Sequence, residues 1–329
     1  MNTQAPRVLP SWTDGATRDA IVGFVASVTE GPGAVPVEER IAVFDNDGTL
    51  WTEKPMPTQL HYIVEQWKVQ AVADPSLAEK QPYKAAVTGD YGWLGAAIDK
   101  HYEGDDSDLQ ILIGALVGIT AGMSVEEYAA SVGEFYETAR HLALGRPYAE
   151  AIYAPMVELM RYLEAHGFTV YIVSGGERDF MRPMTQQYYG IPPEHVVGSA
   201  LGLAWDADSG DVRYTAGLDF FDDGPEKPVR IWSRIGRRPL IAGGNSNGDL
   251  PMLEFARKGG GLALLVHHDD DSGRGDTPYD RGAEQALAAA SLRQAQDGAV
   301  RPAQDGSDRG ITVVSVARDW SRIFPDPVA

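Results

Sequence analysis

The wholly apolar run Ile41-Ala42-Val43-Phe44 gives way at once to Asp45-Asn46-Asp47-Gly48-Thr49. A strand without polar alternation is buried on both faces, as in a parallel sheet covered by helices on each side. Such a strand delivers its carboxylates to its C-terminal tip. In isolation, an Asx-rich turn after a strand would read the same way. The pattern recurs, however. Residues 169–173 run into Ser174-Gly175-Gly176, and residues 239–242 into Gly243-Gly244-Asn245-Ser246-Asn247-Gly248-Asp249. Residues 261–266 run into His267-His268-Asp269-Asp270-Asp271, and 311–316 form a last apolar stretch. Helical patterns at 17–29, 148–166 and after Gly176 to about Tyr188 separate these runs. Strands alternating with helices predict an α/β protein, a Rossmann-like parallel sheet in a three-layer core. In such a sheet the strand tips share one edge, where ligands bind.

One stretch breaks the alternation. Between Pro55-Met56-Pro57 and Gly145-Arg146-Pro147, residues 58–143 are dominated by helical periodicity, including the capping box Ser124-Val125-Glu126-Glu127. Breaker clusters on both sides predict an inserted helical cap domain at 55–145, within a core made of 1–54 plus 146–329. Residues 197–221 alternate around Asp208-Ser209-Gly210 and predict a β-hairpin. Residues 297–310, rich in Gly, Gln, Asp and Arg, read as a mobile loop.

Composition narrows the function. The chain of 329 residues is 43% hydrophobic and 23% charged, enough for a sizeable core. Its net charge of -19 argues against nucleic acid or an anionic membrane as partner. The absence of cysteine removes thiolate nucleophiles, thiolate metal sites and disulfides. No basic segment followed by an apolar one opens the sequence, and no apolar run is long enough to span a bilayer. A soluble cytoplasmic monomer or homodimer is expected.

The strand ends bring Asp45, Asp47, Ser174, Asn245 and Asp249 to one edge, and Lys227, in Gly224-Pro225-Glu226-Lys227-Pro228, opens a helix just before the third strand. In order and spacing these residues resemble the haloacid dehalogenase superfamily, in its phosphatase branch of the phosphoserine-phosphatase type. Asp45-Asn46-Asp47-Gly48-Thr49 matches the first motif, D-x-D-G-T, and Ser174-Gly175-Gly176 the second. Lys227 matches the third, and Gly244-Asn245-Ser246-Asn247-Gly248-Asp249 the fourth, G-D-S-x-x-D, with Asn245 standing where aspartate is usual.

The resemblance implies a Mg²⁺-dependent phosphatase acting on a small phosphomonoester, such as a phosphorylated amino acid, sugar, cyclitol or nucleotide. Asp45 would be the nucleophile and Asp47 the general acid and base. Ser174, Gly175 and Lys227 would hold the phosphoryl oxygens. Asp45, the Asp47 carbonyl, Asn245 and Asp249 would hold Mg²⁺, a cation that takes oxygen ligands. Asn245 brings no charge, so metal binding weaker than in aspartate-bearing relatives is expected, with Asp249 taking a larger share. Glu53 and Lys54 at the cap entrance, Arg178 beyond Ser174, and His267 or His268 are candidate substrate contacts. Asp47 favours phosphoryl transfer over dehalogenation, which needs no leaving-group acid; a phosphomutase shares the same acid.

Other readings exist. Gly244-Asn245-Ser246-Asn247-Gly248 also spells the G-x-S-x-G elbow of serine esterases, although no histidine follows far enough downstream for an acid-then-histidine order. The His267–Asp271 run reads as a solvated loop, with a second metal site as the alternative. A binding module without catalysis would follow if Asn245 abolished metal binding.

Overall fold

The computed structural model describes residues 8–102, 105, 107–296 and 310–326. The loop expected at 297–310 lies, except for residue 310, outside the described residues. Its strands are β1 (Ile41–Phe44), β2 (Thr169–Glu177), β3 (Val196–Asp206), β4 (Asp211–Phe220), β5 (Ile241–Gly244), β6 (Leu262–His267) and β7 (Ile311–Ser315). They form one seven-stranded sheet in the order β4-β3-β2-β1-β5-β6-β7. All neighbouring pairs are parallel except β3 and β4, which form an antiparallel hairpin.

Strand β1 shows why the alternation is missing from the sequence. Phe44 and Ala42 pack on one side of the sheet with Val170, Ile172 and Leu264. Ile41 and Val43 pack on the other with Val173, Ala242, Ile231 and Leu253. Both faces are covered, so both side-chain sets must be apolar. Helices Ala16–Thr29, Ala154–Ala165 and Arg178–Tyr189 supply buried side chains to the first face. Helices Glu226–Ile235 and Leu250–Arg257 supply them to the second. This is the α/β three-layer core that the sequence predicts.

Some edges differ from the sequence reading. The strand expected at 239–242 lies two residues later, and the helix expected from 148 begins at Ala154, with Pro155 in its first turn. Proline fits there because the first N–H groups of a helix have no internal partner.

Between β1 and β2 lie helices Thr58–Ala73, Tyr83–Thr88, Gly92–Tyr102, Ser107–Thr120 and Val125–Thr138. The capping box is formed: Ser124 Oγ accepts from Glu127 N at 3.1 Å, and Glu127 Oε2 accepts from Ser124 N at 2.7 Å. The β3–β4 hairpin fastens onto this segment. Gly122 N donates to Tyr214 O at 2.9 Å, Tyr214 N to Met123 O at 3.0 Å, and the Tyr214 ring meets Tyr128 edge-on at 5.1 Å. Among the described residues no helix is long and apolar enough to cross a membrane.

Candidate active site

After β1 the chain next adds β2 and β3 on one side, then returns to add β5 and β6 on the other. The sheet therefore changes direction at β1, and a crevice opens beyond its C-terminal end. Asp45, Asp47, Ser174, Gly175, Lys227 and Asn245 all line one cavity of about 470 Å³ there.

Lys227 organises the floor. It sits in the first turn of helix Glu226–Ile235, and its Nζ donates to Asp45 Oδ1 at 2.8 Å, Asp249 Oδ1 at 2.5 Å and Val173 O at 3.2 Å. Burial alone would lower the pKa of this ammonium, but the facing Asp249, Asp45 and Asp223 charges raise it above the ordinary lysine value. Lys227 is therefore a fixed cation. Asp45 is pushed the opposite way from a normal surface carboxylate: burial and the Asp249 charge raise its pKa well above the usual range, against the pull of Lys227.

Asp249 has its other oxygen fully engaged. Oδ2 accepts from Asn245 N at 2.9 Å, Ser246 N at 2.9 Å and Ser246 Oγ at 3.0 Å. Only glycine fits before this turn, since a Cβ on Gly244 would lie 2.4 Å from Asp249 Cβ. Gly48 is constrained in the same way, with φ of 74° and Asn245 Nδ2 standing 2.1 Å from where a Cβ would be.

Asp47 is held by Trp51 Nε1, which donates to Oδ1 at 2.8 Å. Burial, helped by the Glu53 charge, raises its pKa to about 6. A carboxyl so placed can give a proton near neutrality. Ser174 is buried, with Oγ accepting from Gly176 N at 3.2 Å while its hydroxyl proton remains available.

The oxygen donors suit a hard divalent cation. Asp45 spends Oδ1 on Lys227, and the Asn245 amide oxygen accepts from Thr49 Oγ1 at 3.1 Å; with the Asp47 carbonyl they would make a set of the type Mg²⁺ prefers. Asp249, expected as a further ligand, has its oxygens on Lys227 and the 245–246 turn and does not line the cavity. Among the described residues no three His, Asp or Glu side chains converge as a ligand cluster. The raised pKa of Asp45 marks a place short of positive charge, which a cation would supply.

Glu53 and Lys54 line the cavity as expected; Lys54 Nζ lies 3.5 Å from Glu53 Oε1 and 4.1 Å from the Tyr279 ring centroid. Arg178 and His267 do not line it. Strand β2 continues through Glu177, whose carboxylate caps the next helix by accepting from Asp179 N and Phe180 N. Arg178 is thereby carried into that helix, where it pairs with Asp179. His267 Nε2 is 2.7 Å from Asp280 Oδ1, on the far side of its loop.

The run after β6 is solvated only in part: Asp271 is exposed, and His267 and Asp269 are partly so. His268 and Asp270 are buried; His268 Nδ1 is 2.7 Å from Asp276 Oδ2 and Nε2 is 2.7 Å from Gly48 O. Both partners can only accept, so both ring nitrogens carry protons. Burial would lower the pKa of this imidazole, but the Asp276 hydrogen bond and charge raise it overall. Asp269 accepts from Ser315 Oγ and Ala317 N, and Asp270 from Ser272 Oγ and Arg274 Nε. Ser246 donates to a carboxylate rather than to an imidazole, which removes the esterase arrangement.

Sequence reasoning missed Gln59, Glu177, Tyr279 and Asp223, all of which line the cavity. Gln59 Oε1 accepts from Glu177 N at 2.9 Å, while its Nε2 is buried without a protein partner. Tyr279 OH accepts from Asn245 Nδ2 at 3.1 Å, and its ring stacks on His268 at 4.7 Å.

A family model described as haloacid dehalogenase-like hydrolase matches residues 42–254. A search of the curated proteins gives no match. Among solved structures, a protein of unknown function from Bordetella pertussis Tohama I is similar in fold, with 17% identity and a TM-score of 0.51 over 84% of this chain and 98% of that one. A conserved protein of unknown function from Anaerococcus prevotii has 17% identity and a TM-score of 0.49 over 86% and 90%. A probable phosphoserine phosphatase from Vibrio cholerae has 15% identity and a TM-score of 0.39 over 80% and 69%.

Proposed function

Because the chain belongs to the haloacid dehalogenase-like hydrolase family, we propose that it is a Mg²⁺-dependent phosphatase that hydrolyses a phosphomonoester through a phosphorylated Asp45. The observation that carries this reading is the Lys227 ammonium, bound at once to Asp45 and Asp249 beneath Ser174 and Asp47. That contact supports a reading in which Asp45 is the nucleophile, Asp47 the acid, and Lys227 and Ser174 the donors around one point.

In the first step an Asp45 carboxylate oxygen bonds to phosphorus as the bond to the ester oxygen breaks. Asp47 gives its proton to the departing alkoxide. In the second, Asp47 takes a proton from water as that water attacks phosphorus, and Asp45 leaves as carboxylate. Lys227 and the Ser174 hydroxyl meet the charge that spreads onto the non-bridging oxygens. Bound through Asp45, the Asp47 carbonyl and Asn245, Mg²⁺ would neutralise phosphoryl charge. Residues 55–145 serve as a cap over the core of 1–54 plus 146–329, excluding water from the site.

Turnover of p-nitrophenyl phosphate with and without Mg²⁺ tests the reading; no hydrolysis under either condition would overturn it. The pKa of Asp47 sets the alkaline limb. Donation needs the protonated form, so kcat/KM should fall as pH rises through about 6. Asp47→Asn should remove that limb. It should cut kcat by roughly 10²- to 10⁴-fold for an alkyl phosphate, and less for p-nitrophenyl phosphate, whose leaving group needs no proton.

Asn245→Asp adds a charge beside the cation. The Mg²⁺ concentration for half activity should drop on the order of tenfold, since unit charges a few ångströms apart interact by about 1 kcal/mol even in water and the cation is divalent. A Mg²⁺ titration of the two proteins decides it, and an unchanged midpoint would exclude Asn245 as a ligand.

A further inference from the structure

We propose that the preferred substrate is a monophosphate ester of an apolar alcohol, such as an alkyl or prenyl chain, carrying no second charged group. This rests on the phosphatase reading and names its substrate class. The cavity has two chemically distinct ends. Every charged residue that lines it sits at a strand end, in the loops that follow, in the Glu53–Lys54 segment or, like Lys227, in the first turn of helix Glu226–Ile235. Between residues 58 and 120, the lining side chains carry no charge. Leu109, Leu112, Ile113 and Leu116 are spaced i, i+3, i+4 and i+7, so helix Ser107–Thr120 turns one apolar face to the cavity. Leu218 and Phe221, in and after β4, are more than a third exposed and line the same cavity.

The boundary between the ends falls at Gln59. A Cβ on Gly176 would lie 3.4 Å from Ser174 Oγ, 3.6 Å from Asp47 Oδ2 and 3.8 Å from Gln59 Oε1, which puts this amide beside the phosphoryl groups. Its unpartnered Nε2 is the last donor from this helix before Leu60 and Ile63 continue the apolar wall. Polar groups of a substrate that reach past Gln59 would lie against Leu60, Ile63 and the leucines of helix Ser107–Thr120, where a buried polar group without a partner is costly. A hydrocarbon chain would instead lose its water there, which is favourable.

Hydrolysis of n-alkyl phosphates from ethyl to octyl, alongside phosphoserine and glycerol phosphate, tests this. The expected result is a kcat/KM that climbs about fourfold per methylene until the cavity is full, with phosphoserine at or below ethyl phosphate. A flat or falling series, or preference for phosphoserine, overturns the apolar assignment and leaves the phosphatase reading standing. No turnover of any ester overturns both. The variant Leu116→Asn should lower the octyl-to-ethyl ratio of kcat/KM about tenfold. That ratio does not depend on how much of the variant folds. An unchanged ratio means that the chain does not lie along helix Ser107–Thr120.

Discussion

Asp45→Asn is expected to abolish turnover, by roughly 10⁴-fold or more, as loss of a nucleophile does in other covalent mechanisms. The fold should survive. Burial and the neighbouring Asp249 charge already raise the Asp45 pKa, so removing its charge relieves as much repulsion as it forfeits attraction to Lys227. The amide keeps the size and shape of the carboxyl and can still accept from Nζ. The measurement is therefore paired: steady-state hydrolysis of p-nitrophenyl phosphate, and the thermal midpoint of the same sample. Quenching the parent enzyme during turnover should give a peptide containing Asp45 with a phosphoryl group attached, absent from the variant. Substantial activity in the variant, or phosphoryl on another residue, would refute the assignment.

Lys227→Met is expected to act on the fold as well as the reaction. Asp249 is fully buried and Asp45 nearly so, and both lose the ammonium that pairs with them. Breaking a buried ion pair by removing one partner costs about 3–5 kcal/mol, because the remaining charge is left uncompensated. The thermal midpoint should then fall by roughly 10 °C. The sign of its pH dependence follows from the carboxylates. Without Lys227 the Asp45 pKa rises further above its unfolded value, so the folded protein holds a proton that the unfolded chain releases. Stability is then lost as pH rises, and the deficit should be larger at pH 8 than at pH 5. Thermal melts at the two pH values check this; an equal deficit at both would mean that Lys227 contributes packing rather than charge. Phosphatase activity should vanish at either pH.

The strand tips were legible because the covalent chain places each polar residue directly after an apolar run. Once the sheet is parallel, Asp45, Ser174 and Asn245 cannot avoid meeting. Lys227 was legible by resemblance, and its reach of both Asp45 and Asp249 is visible only in space. Gln59 and Tyr279 gave no signal, since each reaches the cavity through packing between distant segments. Arg178 misled because the end of β2 was placed at Val173 and not at Glu177, so the helix cap went unseen. In the His267–Asp271 run, charge means solvent at Asp271, whereas the buried His268 and Asp270 are satisfied internally by Asp276 and Arg274. The apolar face of helix Ser107–Thr120 is indistinguishable in sequence from an ordinary core stripe. Only the empty volume beside it tells the two apart.

The backbone hydrogen bonds between Tyr214 and Gly122 and Met123 carry a mechanical consequence. A helical insert joined to its sheet only where the chain enters and leaves could swing freely about those crossings. This one has a third foot, planted off that line on the outermost strand. A tripod resists rocking, so helix Ser107–Thr120, immediately before that foot, is held steady against the outer strand.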